Sequence, residues 1–332
     1  MNTTVTPTLE RPGAVGPEPA PAGPPHPRPR RHRYERLALA LIAPAAVFML
    51  LVHVLPSLAG LYTSFLNLNT FTIDELFGAP WTGLENFRTL LFDSDSPLRS
   101  GFGDALRNTA VYTAVTVAVT IGGGLGFALL LNRTFRGNRV ARTLMIAPWV
   151  LPTFVVAVLW QLMLQSESGI VNKLLVDYLG ILGEKPVWLI GENTLWAIIV
   201  PSIWRGLPFA CLIFLAGLQA IPRELGEAAA IDGAGPWRRF RYVTVPLLRP
   251  LIAIQLLFGV IYSAYQFTLP YIMLGPNPGS SADLVMTMVV RESFTNNLLG
   301  FGAAISVLLT LVMLVWVAIW YRGFKRDFEA VR

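Results

Sequence analysis

Six stretches of this chain, 37–62, 110–131, 144–164, 195–220, 251–274 and 301–321, are apolar over bilayer-spanning length, and five of them contain no Asp, Glu, Lys or Arg. A hydrocarbon core about 30 Å thick takes about 20 residues of α-helix. An ionised group at its centre costs at least about 2.5 kcal/mol. Charge-free runs of this length are therefore read as spans, with Arg205 in the fourth as the exception. The fold class is all-α: a polytopic integral membrane protein with six transmembrane helices. Only 14% of residues are charged, against about 25% in soluble chains, which argues against an ordinary cytosolic enzyme. The first run is far longer than a signal-peptide core of about 7 to 15 residues, so it reads as an uncleaved anchor.

The net charge of +6 does not point to nucleic acid, because Lys and Arg flank the apolar runs instead of gathering on a soluble surface. Their placement sets orientation. Arg28, Arg30, Arg31, Arg33 and Arg36 precede the first run; Arg133, Arg136, Arg139 and Arg142 follow the second. Arg223, Arg238, Arg239, Arg241 and Arg249 follow the fourth, and Arg322, Lys325 and Arg326 the sixth. The opposite loops hold Arg88, Arg99, Arg107, Lys173, Lys185 and Arg291 with most of the acids. Both termini are expected in the cytoplasm. Residues 1–34 read as a disordered Pro/Arg-rich tail, 35–325 as the membrane domain and 326–332 as a short C-terminal tail; 67–107 reads as an extracytoplasmic cap.

The segment 221–246 is neither span nor tail. Pro222 suits a first helical position, Glu224 complements the positive helix start and Gly233 supplies a stop. Gly235-Pro236 opens a second short helix, expected to end near Pro246. Helices this short are marginal alone in water and need a packing surface. Ala228, Ala229 and Ala230 allow close approach, and Glu224 and Glu227 stand one turn apart. The residues leave two readings open: docking to another protein, or a loop lying along the membrane with Trp237 and the arginines at the headgroups.

Glu227-Ala228-Ala229, then Gly233, then Val243-Thr244-Val245-Pro246 resembles the EAA loop of ABC importer membrane subunits (EAA, three residues, Gly, nine residues, I-x-L-P), with Val at the usual Ile and Leu positions. The wider run from Leu215 to Ala234 is similar to the carbohydrate permeases of the maltose and glycerol-3-phosphate type, and the first span, with Pro44, Pro56 and 62–65, is more like the first of two paired permeases. Leu274-Gly-Pro-Asn-Pro278 departs from the common Gly-Gly-Pro.

The resemblance implies a cytoplasmic coupling helix between spans four and five that seats in a groove of an ATPase. Glu227 would face an ATPase Arg, Ala228 and Ala229 would make the close contact, Gly233 would form the elbow and Asp232 would cap or brace it. It implies partners: a second homologous permease, two ABC ATPase subunits, an extracytoplasmic solute-binding protein and the lipid bilayer, in the bacterial cell membrane. The residues themselves point to no nucleic acid, no metal and no catalytic residue: Cys211 stands alone, His26, His32 and His53 have no mutual spacing that holds a metal, and the spans show no paired nucleophile and base. No cofactor is expected on this chain, with ATP and Mg used by the ATPase. The chain has no G-x-x-x-x-G-K-[ST] and its only lysines are Lys173, Lys185 and Lys325. The implied cargo is a sugar; glycerol phosphate or a polyamine are alternatives. A secondary transporter is disfavoured because the spans hold no acid.

The resemblance also places a solute path on the fourth span, at Arg205 and Phe209, and on the fifth, at Tyr262, Ser263, Tyr265 and Gln266. A mid-span cation needs an aqueous cavity or a counter-charge. The competing reading is that Arg205 meets the partner subunit or snorkels outward and that the tyrosines are core. Gly122 and Gly126, four residues apart, are expected to mediate close helix packing, and His53 and Cys211 are read as packing residues.

Overall fold

The computed structural model describes residues 31–72 and 78–329, which are mostly helical; among them no strand forms, and Leu66 and Trp81 make an isolated bridge. The helices are α1 (Arg31–Met49), α2 (Leu55–Thr63), α3 (Glu85–Leu91), α4 (Pro97–Leu131), α5 (Asn138–Val150), α6 (Thr153–Met163), α7 (Ile170–Asn172), α8 (Thr194–Ala220), α9 (Arg223–Ile231), α10 (Pro236–Arg239), α11 (Val245–Ala264), α12 (Thr268–Leu274), α13 (Val285–Val290) and α14 (Leu299–Glu329). The chain divides into two units, 1–55 and 56–332. The tail expected over 1–34 lies outside the described residues up to position 30, and α1 is already helical from Arg31. At the other end α14 runs on to Glu329, past the expected boundary at 325.

Five helices are long and apolar enough to span a membrane, and a bent pair brings the number to six if it crosses as one span. That pair, α5 and α6, turns through 96° where one continuous span was expected over 144–164. Pro152 causes the break. It has no N–H to donate, and its ring pushes the preceding residue out of the helical region; Leu151 lies at φ −66°, ψ 136°.

A second departure follows α9. The short helix expected to stop near Pro246 does not stop: α10 passes through a π turn, Phe240–Thr244, directly into α11. The π turn ends two residues before Pro246, and another, Leu50–Val54, ends two residues before Pro56. A proline ring clashes with the carbonyl four residues back in a regular helix. The wider turn just before each proline lets the helix continue.

Packing centres on α4 and α8. Tyr112 meets Ser202, hydroxyl to hydroxyl at 2.7 Å, and Gly124 lies against Ala210, so the two helices run in parallel. A Cβ on Gly124 would come within 2.6 Å of the Ala210 Cβ and 3.1 Å of the α8 backbone, so only glycine fits. Gly122 and Gly126 have nothing within 4 Å at their Cβ positions, and the close contact falls on Gly124 instead. Around it Ala128, Cys211, Phe214, Leu215 and Leu248 form one buried cluster. The α11 helix returns along the pair, with Leu248 and Leu251 against Gly217.

At the end where α4 begins, the 275–298 segment is clamped by buried polar groups. Asn108 donates to the carbonyls of Ser280 (2.7 Å) and Asp283 (3.1 Å), and Thr109 Oγ1 accepts from the Val285 N–H. Arg291 meets Asp283 at 2.6 Å and Glu292 at 3.2 Å. Burial pulls the Arg291 pKa down, but its hydrogen bond and charge pairing with Asp283, and with Glu292, outweigh this and hold it above the usual arginine value.

Candidate functional site

A cavity of about 610 Å³ opens between α4, α8 and α11, with Trp149 of α5 on its wall. Arg205, Phe209, Tyr262, Ser263 and Gln266 all line it. The structure thus brings together five of the six residues assigned to the path. Arg205 Nη1 donates to the Tyr262 hydroxyl at 2.9 Å, and Phe209 stacks on Trp149 with centroids 5.8 Å apart. Ser263 and Gln266 are buried where α11 ends and the backbone breaks before α12.

Tyr265 is the sixth and stands elsewhere. Its hydroxyl pairs with Thr310 of α14 at 3.2 Å, and it is not among the lining residues. Tyr265 is the C-cap of α11, at φ −93°, ψ 13°, and its side chain turns to α14 while Tyr262 before it and Gln266 after it line the cavity.

Further liners had not been singled out from sequence: Tyr112, Thr116 and Thr120 of α4, Ser202 of α8, and Gln255 and Phe258 of α11. The hydroxyls of Thr116 and Thr120, Arg205 Nε and Gln255 Nε2 are buried without a hydrogen-bond partner among the described residues. Leaving such a group unpaired costs about 1–3 kcal/mol, so this wall is suited to a guest that brings donors and acceptors. Arg205 is the only charged residue on it. Of these further liners, Thr116 and Thr120 stand four residues apart in an otherwise apolar span, a signal that was present in the sequence.

The EAA-like segment forms α9 and projects from the opposite end of α8. Gly233, at φ 80°, closes it: the Gly233 N–H donates to the Ala230 carbonyl (3.0 Å) and the Ala234 N–H to the Ala229 carbonyl (2.9 Å), a Schellman arrangement. Pro222 sits at the N-cap, one residue before the expected position. Asp232 caps through its backbone, its N–H donating to the Ala228 carbonyl at 3.0 Å; its carboxylate makes no hydrogen bond or ion pair among the described residues. No residue of α9 is buried. Glu224, Glu227, Ala228, Asp232 and Gly233 are exposed, Ala229 is half-buried, and Ile231 is 87% exposed. No ion pair or hydrogen bond of the Glu224 or Glu227 carboxylate occurs among the described residues. The helix thus offers unpaired acids, small side chains and an uncovered isoleucine on one short element.

Among the described residues no group of three or more His, Cys, Asp or Glu could hold a metal.

The family model described as binding-protein-dependent transport system inner membrane component matches residues 118–329. The chain is 35% identical over 288 residues to the sulfoquinovosyl glycerol transport system permease protein SmoG of Agrobacterium fabrum, covering 86% of this chain and 89% of that one. It is 31% identical over 291 residues to the trehalose/maltose transport system permease protein MalF of Thermococcus litoralis, covering 86% and 94%. In fold it matches a bacterial ABC transporter involved in the import of the acidic polysaccharide alginate, with a TM-score of 0.71 at 21% identity over 89% of this chain and 97% of that one. The family match extends from the α4–α8 pair through α9 to α14, and on that basis this chain belongs to the binding-protein-dependent transport system inner membrane components.

Proposed function

We propose that this chain is one of two permease subunits of an ATP-driven importer, carrying a sugar or related polyhydroxylated solute delivered by an extracytoplasmic binding protein. The observation that carries the reading is the cavity beside Arg205. It is a space within the spans whose wall combines unpaired donors and acceptors with aromatic faces, the two surfaces a sugar presents. SmoG and MalF, relatives over most of their length, are named as sulfoquinovosyl glycerol and trehalose/maltose permease proteins, which adds support for a sugar cargo. Arg205 as the lining charge favours a neutral or anionic solute, such as a sugar acid or glycerol phosphate, over a polyamine.

In this reading α9 is the coupling helix. Glu227 meets an ATPase arginine, Ala228 and Ala229 make the close contact, and Gly233 aims the elbow. ATP and Mg are bound and used by the ATPase, and this chain contributes no catalytic group. The Arg-rich end that carries α9 faces the cytoplasm with both termini.

The test is co-expression with the partner permease and ATPase. Glu227→Lys is expected to abolish ATPase co-purification and solute uptake while the chain still reaches the membrane. Unchanged uptake by that variant, or accumulation of solute in vesicles that hold this chain with no ATPase, would sink the proposal.

A further inference from the structure

A recess of about 460 Å³ lies apart from the solute cavity, between the start of α11 and the end of α14. Arg241, Val245, Arg249 and Ile252 succeed one another along one face of the continuous α10–α11 helix, and Phe324 of α14 forms the facing wall. Arg249 follows Arg241 eight positions later, about 12 Å along the axis. Arg249 is joined to Asp327 at 3.5 Å, while Arg241 has no ion pair or hydrogen bond among the described residues. The recess therefore carries an unneutralised positive charge at its mouth and an apolar wall deeper in.

At the mouth, Trp237 is 70% and Tyr242 72% exposed. Large aromatic side chains with one polar atom belong at the boundary between headgroups and hydrocarbon. They begin the segment Pro236–Leu274, which is long and apolar enough to cross the bilayer. Together these features describe the receptor for an amphiphile: an anion at Arg241, and a hydrocarbon chain running past Val245, Ile252 and Phe324.

We propose that this recess binds one anionic phospholipid, its phosphate held by Arg241 at the mouth, with Arg249 adding positive charge further in, and one acyl chain lying on the α11–α14 wall. The charge is complementary, since basic pockets between spans select anionic headgroups over zwitterionic ones. The inference rests on segment 236–274 being a membrane span, not on α9 docking an ATPase, so the two readings fail separately.

The experiment is native mass spectrometry of the full chain, purified in detergent and supplied with either phosphatidylglycerol or phosphatidylcholine. One phosphatidylglycerol should stay bound where phosphatidylcholine does not. Arg241→Gln and Arg249→Gln should each weaken its retention about fivefold, and the double variant should show no preference. Arg241→Lys should keep the preference. Asp327→Asn, which frees Arg249 while loosening the same helix pair, should bind at least as well as the parent, and Arg136→Gln with Arg139→Gln should bind like it. Equal retention of both lipids, undiminished phosphatidylglycerol binding in the double glutamine variant, or an equal loss in the Arg136 and Arg139 control would each overturn the proposal. So would a loss in Asp327→Asn, or displacement of the lipid when purified ATPase is added, which would make the recess a protein contact.

Discussion

Arg205 of α8 and Tyr262 of α11 are joined across the cavity by a 2.9 Å hydrogen bond from the guanidinium to the phenol oxygen. A hydrogen bond to a charged group contributes about 1.5–3 kcal/mol. Tyr262→Phe is therefore expected to lower the initial rate of uptake about tenfold or more at unchanged protein level, and Arg205→Gln to lower it further. Radiolabelled solute uptake, normalised to the amount of chain in the membrane, measures both. A Tyr262→Phe rate equal to the parent would show that the bond is incidental to transport.

Gly124 tests the α4–α8 contact. With Ala210 and the α8 backbone already within 3.1 Å of its Cβ position, Gly124→Val must push the helices apart, at a cost of about 1–3 kcal/mol. Its thermal unfolding in detergent should come at lower temperature than that of the parent. Gly122→Ala and Gly126→Ala meet open space within this chain and should unfold at the parent temperature. A Gly124→Val protein as stable as the other two would contradict the packing described.

The cluster at the opposite end of the fold makes a different prediction. Arg291 neutralises Asp283 and Glu292, whose side chains are only 7% and 3% exposed. Arg291→Gln strands two buried carboxylates, a change that costs about 3–5 kcal/mol in comparable pairs. Protease cleavage within 275–298 should become markedly faster. The pKa of Arg291 is raised in the folded chain, so its stabilisation is complete below the ordinary arginine range and is lost only as pH climbs through the still higher folded value. Cleavage of the parent should accordingly show no Arg291-linked change from neutral to moderately alkaline pH.

Gly233 at φ 80° fixes how α9 ends. A β-branched residue there is strained by about 1–2 kcal/mol. Gly233→Val should reduce uptake without altering the thermal unfolding of the spans, whereas Gly233→Asn, which tolerates this backbone region, should keep most of it. Equal uptake by the two variants would remove the elbow from the account.

The spans and the α9 elbow were legible in sequence because each rests on a local rule: exclusion of charge from hydrocarbon for the first, and a helix-stopping glycine at fixed spacing for the second. What was not legible depends on helical phase. The stretch of α4 around Gly122, Gly124 and Gly126 is apolar on every side and so does not show which glycine meets a neighbour, while Thr116 and Thr120, one turn apart, offered a faint polar stripe that the surrounding apolar residues outweighed. Tyr265 was placed on the path by the resemblance, which marks the 262–266 stretch as a whole and does not say which of its side chains turn to α14. The bend at Pro152 was written in the sequence but was outweighed by the apolar run around it.

Two short connections join α9 to the spans. Only Ile221 and Pro222 separate it from α8, and only residues 232–235 from the rod that begins at Pro236 and runs without interruption into α11. That small outboard helix is thus tied to two arms at once, α8, which carries the Arg205 guanidinium, and α11, which carries the Tyr262 phenol. In the proposed importer, a motion that tilts the two arms by different amounts is expected to lengthen the Arg205–Tyr262 bond, so that bond would serve as a reporter of the transport cycle.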